Sequence, residues 1–275
     1  MNILVVFPHP DDGALHAGGA MAKWVDQGHS VTAVCCTRGN LGTLRHDETG
    51  DEVAERREQE LRDANDILGI QNTVLLGYPD GGFMAAGELR RDLVRCVRTY
   101  RAERVLTLDP WVRYEVHPDH LLAGRMAAEA AAFAPFPLLY PEQTAGRTCQ
   151  CPLPVPSEVW FMGALGHEPN CFVDVSSTVD RKIAAVLAFA STVAVLARQL
   201  DEDVDPVSIS DADMRLLSQR AADMVRSMAQ RAGRPVNVSA AEPFFVQRCL
   251  PGHFDNMDTT LEEMLGGSAS APRLA

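Results

Sequence analysis

The chain has 275 residues, 46% of them hydrophobic, enough to bury a full core in one large domain or in one domain with a C-terminal extension. Its formal net charge of −12 speaks against nucleic acid or an anionic membrane as a partner, because both reward clustered Lys and Arg. No apolar stretch reaches bilayer-spanning length and the apolar start lacks a basic flank, so the expectation is a soluble, cytoplasmic protein without a signal peptide.

Asn2 to Phe7 is a short continuous apolar run, as expected of a central parallel strand covered on both faces. It runs directly into Pro8-His9-Pro10-Asp11-Asp12. Leu15 to Gln27 has helical spacing at Met21, Trp24 and Val25, and Gly18-Gly19 predicts a close approach to the sheet. Ser30 to Cys36 is β-branched and predicts the second strand. The polar stretch from Thr37 to Gly50 is a loop, of a length that is usually functional. Asp51 to Leu68 is predicted helical and ends at Gly69. Thr73 to Leu76 is a third strand, followed by the turn Tyr78-Pro79-Asp80-Gly81-Gly82.

Leu89, Leu93, Val94 and Val97 mark another helix, and Arg104 to Leu108 another strand. That strand leads through Asp109 to Val116 into a second polar knot, His117-Pro118-Asp119-His120, which opens a helix reaching Phe133. Pro135 to Pro156 is loop; Glu158 to Phe161 and Cys171 to Val175 are strands. Long helices are predicted over Ser177 to Leu200 and Asp211 to Ala232. The seven cysteines are odd in number and include no C-x2-C pair, so small thiols in a reducing compartment fit better than a disulfide framework. Cys35-Cys36 fall in a strand and Cys149-x-Cys151 in the Pro-rich loop.

Strands alternating with helices predict an α/β fold, a Rossmann-like, mostly parallel sheet with helices on both faces and a smaller C-terminal α/β portion. The expected organisation is one domain over 1–265, with a core over about 1–135, a C-terminal portion over about 157–265, and a flexible tail over 266–275. The loop after the first strand has no G-x-G-x-x-G signature, and two carboxylates there would repel a pyrophosphate. A nicotinamide or flavin dehydrogenase is therefore disfavoured.

His9 and Asp12 are three residues apart, as are His117 and His120, and in a tight turn or first helical turn such pairs project to one side. Pro118 suits the first turn of a helix, with His117 near its cap. Two His and one carboxylate form a standard ligand set for catalytic zinc, which lowers the pKa of its water from about 15.7 to about 7. Asp11 and His117 remain for proton transfer or oxyanion stabilisation. Either knot alone reads equally as helix capping; two, each at the carboxyl end of a predicted parallel strand, point to one metal site.

These knots, with Gly18-Gly19, closely resemble the PIG-L/LmbE-type zinc-dependent N-deacetylases, and Arg57-x-x-Glu60-Leu61, Pro79-Asp80-Gly81, Val173-Asp174 before Lys182, and Ala241-Glu242 before Phe244 agree. The resemblance spans about residues 2 to 248. It implies His9, Asp12 and His120 as ligands of Zn2+ or another divalent transition metal, and Asp11 as general base. It makes His117 the oxyanion-stabilising or acid histidine, with Asp119 orienting it, and Arg57 and Asp80 contacts to sugar hydroxyls. The implied reaction removes an N-acetyl or N-acyl group from an N-acetylglucosamine-type sugar or glycosylated metabolite. The alternatives are an amidase of a thiol or antibiotic conjugate and an inactive sugar-binding relative. A homo-oligomer is also compatible with the family. Gly13 stands where relatives often carry Glu, Phe189 and Thr192 where many have His and Gln, and Tyr114 near the place of a family Tyr.

Overall fold

The computed structural model describes residues 1–144, 153–163, 165–254 and 273–275; the predicted Cys149-x-Cys151 loop and most of the expected tail lie outside them. The first half builds four strands and four helices in alternation: β1 (Asn2–Phe7), α1 (Asp12–Asp26), β2 (Ser30–Thr37), α2 (Gly50–Leu68), β3 (Asn72–Tyr78), α3 (Ala86–Thr99), β4 (Arg104–Leu108) and α4 (Pro118–Phe133). The second half contributes β5 (Glu158–Met162), β6 (Cys171–Asp174), α5 (Val179–Leu187), α6 (Ala190–Val195), α7 (Ala197–Leu200), α8 (Asp211–Gly233), β7 (Ala241–Leu250), β8 (His253–Phe254) and β9 (Arg273–Leu274).

The strands form one sheet in the order β3-β2-β1-β4-β5-β7-β6-β9, with β8 on β7. From β3 to β5 all neighbours run parallel, while β7 runs antiparallel to both β5 and β6. Along β1 the side chains divide between the faces with period two: Ile3, Val5 and Phe7 join the core under α1, α2, α5 and α8, and Leu4 and Val6 the core under α3 and α4. Such a strand must be apolar throughout, which explains its continuous hydrophobic run.

This strand order decides where a ligand can bind. Chain connections leave β1 toward β2 on one side, while β4 lies on its other side, so the sheet reverses direction of winding between β1 and β4. A crevice opens outside the carboxyl ends of strands at such a reversal. Both polar knots follow these two strands, and β1 and β4 are hydrogen-bonded neighbours from Ile3↔Arg104 to Val5↔Leu106.

Several boundaries differ from expectation. Helix α1 begins at Asp12 rather than Leu15, so that carboxylate belongs to its first turn, where the helix dipole favours negative charge. The long helix predicted over Ser177 to Leu200 is broken into α5, α6 and α7. At the first break Phe189 leaves helical geometry (φ −87, ψ 70) with its ring buried, and Ser191 donates N–H and Oγ–H to the buried carboxylate of Glu60. Burying the aromatic ring and pairing Glu60 outweigh helical continuity in a stretch with β-branched Thr192, Val193 and Val195. Strand β7 had no counterpart in the sequence reading, and Arg273–Leu274, inside the expected tail, pair in parallel with β6.

The close approach expected at Gly18-Gly19 is made to the C-terminal half rather than to the parallel strands. A Cβ on Gly19 would fall 2.8 Å from Cβ of Val175, and the Gly19 and Ala20 amides donate to Glu242 at 2.9 and 2.8 Å. Lys182 completes this buried knot, 2.6 Å from Glu242. Cys35, Cys36, Cys96, Cys171 and Cys249 are free, buried thiols. No helix among the described residues is long and apolar enough to cross a membrane.

Candidate metal centre

Strand β1 delivers a tight turn in which Asp12 Oδ2 accepts the His9 amide at 2.9 Å, and the Asp12 amide returns a 3.3 Å bond to the His9 carbonyl. Just after β4, buried Asp109 accepts from the amides of Trp111 and Gly166 at 2.9 and 2.7 Å and so shapes the start of the following loop. His117 is the N-cap of α4, its Nδ1 accepting the Asp119 N–H at 3.3 Å, and Pro118 occupies the first turn. His120 lies one turn inside. The spacing in the sequence predicts this arrangement.

The two knots meet. The His9 ring centroid is 4.5 Å from that of His117 and 5.2 Å from that of His120, and the rings of His117 and His120 stack at 4.7 Å. Nitrogens of the three imidazoles lie within 4.8 Å of one another, and so do ligand atoms of His9, Asp80, His117 and Asp119. Asp12 flanks the group: its Oδ2 is 3.2 Å from His9 Nδ1 and its Oδ1 3.8 Å from His120 Nε2.

Asp80 and Asp119 both lie against His9. His9 Nε2 lies 3.0 Å from Asp80 Oδ1 and 3.4 Å from Asp119 Oδ2. Asp80 thus backs the imidazole of His9, and its other oxygen accepts the Leu41 amide at 3.4 Å. The Asp119 carboxylate, expected to orient His117, is 3.9 Å from His117 Nδ1. It accepts instead the amides of Gly81 and Gly82 at 2.7 and 2.8 Å; both glycines have positive φ, which lets consecutive N–H groups converge on one carboxylate.

These contacts set the electrostatics. Burial alone would lower the pKa of His9, but hydrogen bonds to Asp119, Asp12 and Asp80 push it up to about 12. Burial would raise the carboxyl of Asp12, and His9 holds it well below the usual range. Asp119 is also held low, burial being outweighed by His9 and the glycine amides. Burial, with His9 and His120 nearby, pushes His117 below its ordinary value. The three carboxylates of Asp12, Asp80 and Asp119 thus favour positive charge on His9.

Asp11 sits beside this cluster. Arg57 Nη2 pairs with its Oδ1, and Thr192 Oγ1 donates to its Oδ2 at 2.9 Å. Arg57 is only 6% exposed; Nη1 donates to the Gly39 carbonyl at 3.3 Å, and Nε has no partner among the described residues. An apolar crevice formed by Leu15, Val186, Phe189, Val193 and Leu196 adjoins Asp11 on the side of α6.

The departures from the family pattern also acquire positions. A Cβ on Gly13 would fall 2.7 Å from Cε1 of Phe7, so the Phe7 ring fills the space that a larger residue would need. Phe189 lines the apolar crevice, and Thr192 contacts Asp11. Tyr114 is 89% exposed. Sequence reasoning gave no role to Glu115, whose carboxylate turns inward to His117 and His120. Its position two residues before His117 was the available signal.

The chain is similar to known proteins in sequence and in fold. Residues 4–131 match the family described as PIG-L, GlcNAc-PI de-N-acetylase. The chain is 34% identical over 205 residues to a diacetylchitobiose deacetylase of Thermococcus kodakarensis, covering 74% of this chain and 72% of that protein. It is 34% identical over 166 residues to the 1D-myo-inositol 2-acetamido-2-deoxy-alpha-D-glucopyranoside deacetylase of Streptomyces scabiei, spanning 51% of each. The fold is similar to N,N'-diacetylchitobiose deacetylase from Pyrococcus horikoshii, with a TM-score of 0.74 and 27% identity over 91% of this chain and 84% of that one.

Proposed function

Because the chain belongs to the PIG-L family of de-N-acetylases, we propose that it is a metal-dependent hydrolase removing the N-acetyl group of an N-acetylglucosamine-type sugar or its glycoside. The observation that carries the proposal is the convergence of three imidazoles and three carboxylates at the β1/β4 reversal of the sheet. A mixed nitrogen and carboxylate donor set fits zinc or a similar divalent transition metal better than magnesium or calcium, which favour all-oxygen sites.

His9, Asp12 and His120 would hold the ion. His9 Nδ1 and His120 Nε2 both face Asp12, which leaves His9 Nε2 to Asp80 and Asp119 as a carboxylate-backed ligand. Asp80 is thus proposed to support His9, and sugar recognition to fall more on Arg57, whose Nε–H is an unspent buried donor. When bound, the metal supplies Lewis acidity that polarises the amide carbonyl and eases deprotonation of water.

Asp11 accepts the proton of the attacking water and passes it to the departing amine, so that amide and water become amine and acetate. Its neighbours Arg57 and Thr192 fix the plane of the carboxylate. His117 Nδ1 accepts the Asp119 N–H, so the neutral ring carries its hydrogen on Nε2 and can donate it to the developing oxyanion. Asp119 holds the Gly81-Gly82 turn against the site and adds negative charge beside His9.

The test is acetate release from an N-acetylglucosaminide by zinc-loaded protein, with Asp11→Asn as control. The variant should lose about 10²–10⁴-fold in kcat, the usual contribution of a general base. Protein that holds no stoichiometric metal, or an Asp11→Asn enzyme as active as wild type, would overturn the reading. Release of a larger acid in place of acetate would assign the site to an amidase.

A further inference from the structure

Glu115 lies on the loop between β4 and α4, flanked by Tyr114 and Val116, which are both 89% exposed. Tyr114 adopts a left-handed backbone (φ 67), a conformation costly for a bulky side chain and kept only where the surroundings impose it. The consequence is a reversal of direction that turns the Glu115 carboxylate inward between two solvent-facing neighbours. There Oε1 accepts the His117 amide at 2.8 Å, and Oε2 lies 3.1 Å from His120 Nδ1.

An ionised carboxylate can only accept, so His120 must carry its hydrogen on Nδ1. The lone pair of the neutral ring is then on Nε2, the nitrogen 3.8 Å from Asp12 Oδ1. Stacking on His117 with an interplanar angle of 10° fixes the remaining rotation of the ring. We infer that Glu115 is a positioning residue that locks His120 in its Nδ1–H tautomer and thereby makes Nε2 the metal-binding atom. This rests on the metal-site reading above.

The carboxylate does three things at once. It selects the tautomer, raises the basicity of the ligand nitrogen through the ring, and ties His120 to the backbone at the N-cap of α4. The neighbouring Arg113 and Tyr114 cannot substitute for it: a guanidinium offers no acceptor, and Tyr114 faces solvent.

The experiment measures zinc affinity of metal-stripped protein by chelator competition, for wild type, Glu115→Gln and Glu115→Ala. Glu115→Ala should bind zinc about 10–100-fold more weakly, the usual cost of losing such a partner. Glu115→Gln retains an acceptor without its charge and should fall between. Two-bond ¹H–¹⁵N spectra of the metal-free wild type should show His120 as the Nδ1–H tautomer, and the Glu115→Ala spectrum a shift toward Nε2–H. This signature separates a tautomer lock from a loop that merely needs Glu115 to fold. If Glu115→Ala fails to fold, the wild-type tautomer and the Glu115→Gln affinity decide. An Nε2–H tautomer in wild type, or variant affinities within twofold of it, would overturn the inference. Wild-type protein that binds no zinc would instead overturn the metal-site reading.

Discussion

Thr192 Oγ1 stands between two charged groups, donating to Asp11 Oδ2 at 2.9 Å and lying 3.5 Å from Arg57 Nη2. With Arg57 on Oδ1, both oxygens of Asp11 are engaged, so the carboxylate is oriented before substrate arrives. A hydrogen bond to a charged group contributes about 1.5–3 kcal/mol, and each 1.36 kcal/mol on a barrier is about tenfold in rate. Thr192→Val, which keeps the shape, should lower kcat about tenfold with KM changed less than threefold. Thr192→Ser should stay within twofold of wild type. Steady-state acetate release checks both, and equal loss in the Ser and Val variants would refute a hydroxyl role.

Metal loading should be steeply pH-dependent. His9 is held protonated in the metal-free protein up to about 12, well above its ordinary 6.5, and a ligand nitrogen must give up that proton. Across pH 6 to 8 the apparent zinc affinity should therefore rise about tenfold per pH unit from this group alone. Calorimetry in buffers of different ionisation enthalpy should count at least one proton released. Stability of the metal-free fold follows the opposite sign. The raised His9 contributes fully below 6.5, and its contribution wanes as pH rises toward about 12; Asp12 and Asp119, both held low, contribute above 3.8 and lose it as pH falls. Urea melts at several pH values should place the stability maximum of the stripped protein between those limits.

Gly13 and Phe7 form a size-matched pair. With a Cβ falling 2.7 Å from the Phe7 ring, Gly13→Ala overpacks the start of α1 and should cost about 1–3 kcal/mol. Adding Phe7→Leu should recover part of the loss. Denaturant midpoints of the single and double variants measure this, and additive losses would contradict it.

The Lys182–Glu242 pair is buried and shares its carboxylate with the Gly19 and Ala20 amides. Removing one partner of such a pair costs about 3–5 kcal/mol, because a charge is left without its neutraliser. Lys182→Met should lose less than Glu242→Ala, since the two amides still serve Glu242. Equal losses would mean that the amide bonds contribute nothing.

The convergence of the two polar knots was legible because each is local: each pair sits three residues apart, just after an apolar strand or the loop that follows one, and the strand order brings the two strands together. The supporting contacts were not. Thr192 reaches Asp11 across 181 residues and Ser191 reaches Glu60 across 131, separations on which periodicity carries no information. The break at Phe189 was hidden because the apolar spacing continues across it. Strand β7 was missed because Pro243, Gln247 and Arg248 interrupt its alternation, although its pairing with both β5 and β6 makes it central. Asp80 was expected at sugar hydroxyls and Asp119 beside His117; their common contact with His9 was not legible, because it depends on the positive-φ Gly81-Gly82 turn that Asp119 accepts from.

Glu242 anchors α1 through amides 222 and 223 residues earlier in the chain. During synthesis at about 5–20 residues per second, the ribosome needs on the order of 10–45 seconds to travel from Ala20 to Glu242. Throughout that interval the helix that opens with Asp12 lacks its fastening, and for most of it Asp11 lacks Thr192. The segment that carries Asp11 and Asp12 is therefore among the first made and among the last fastened.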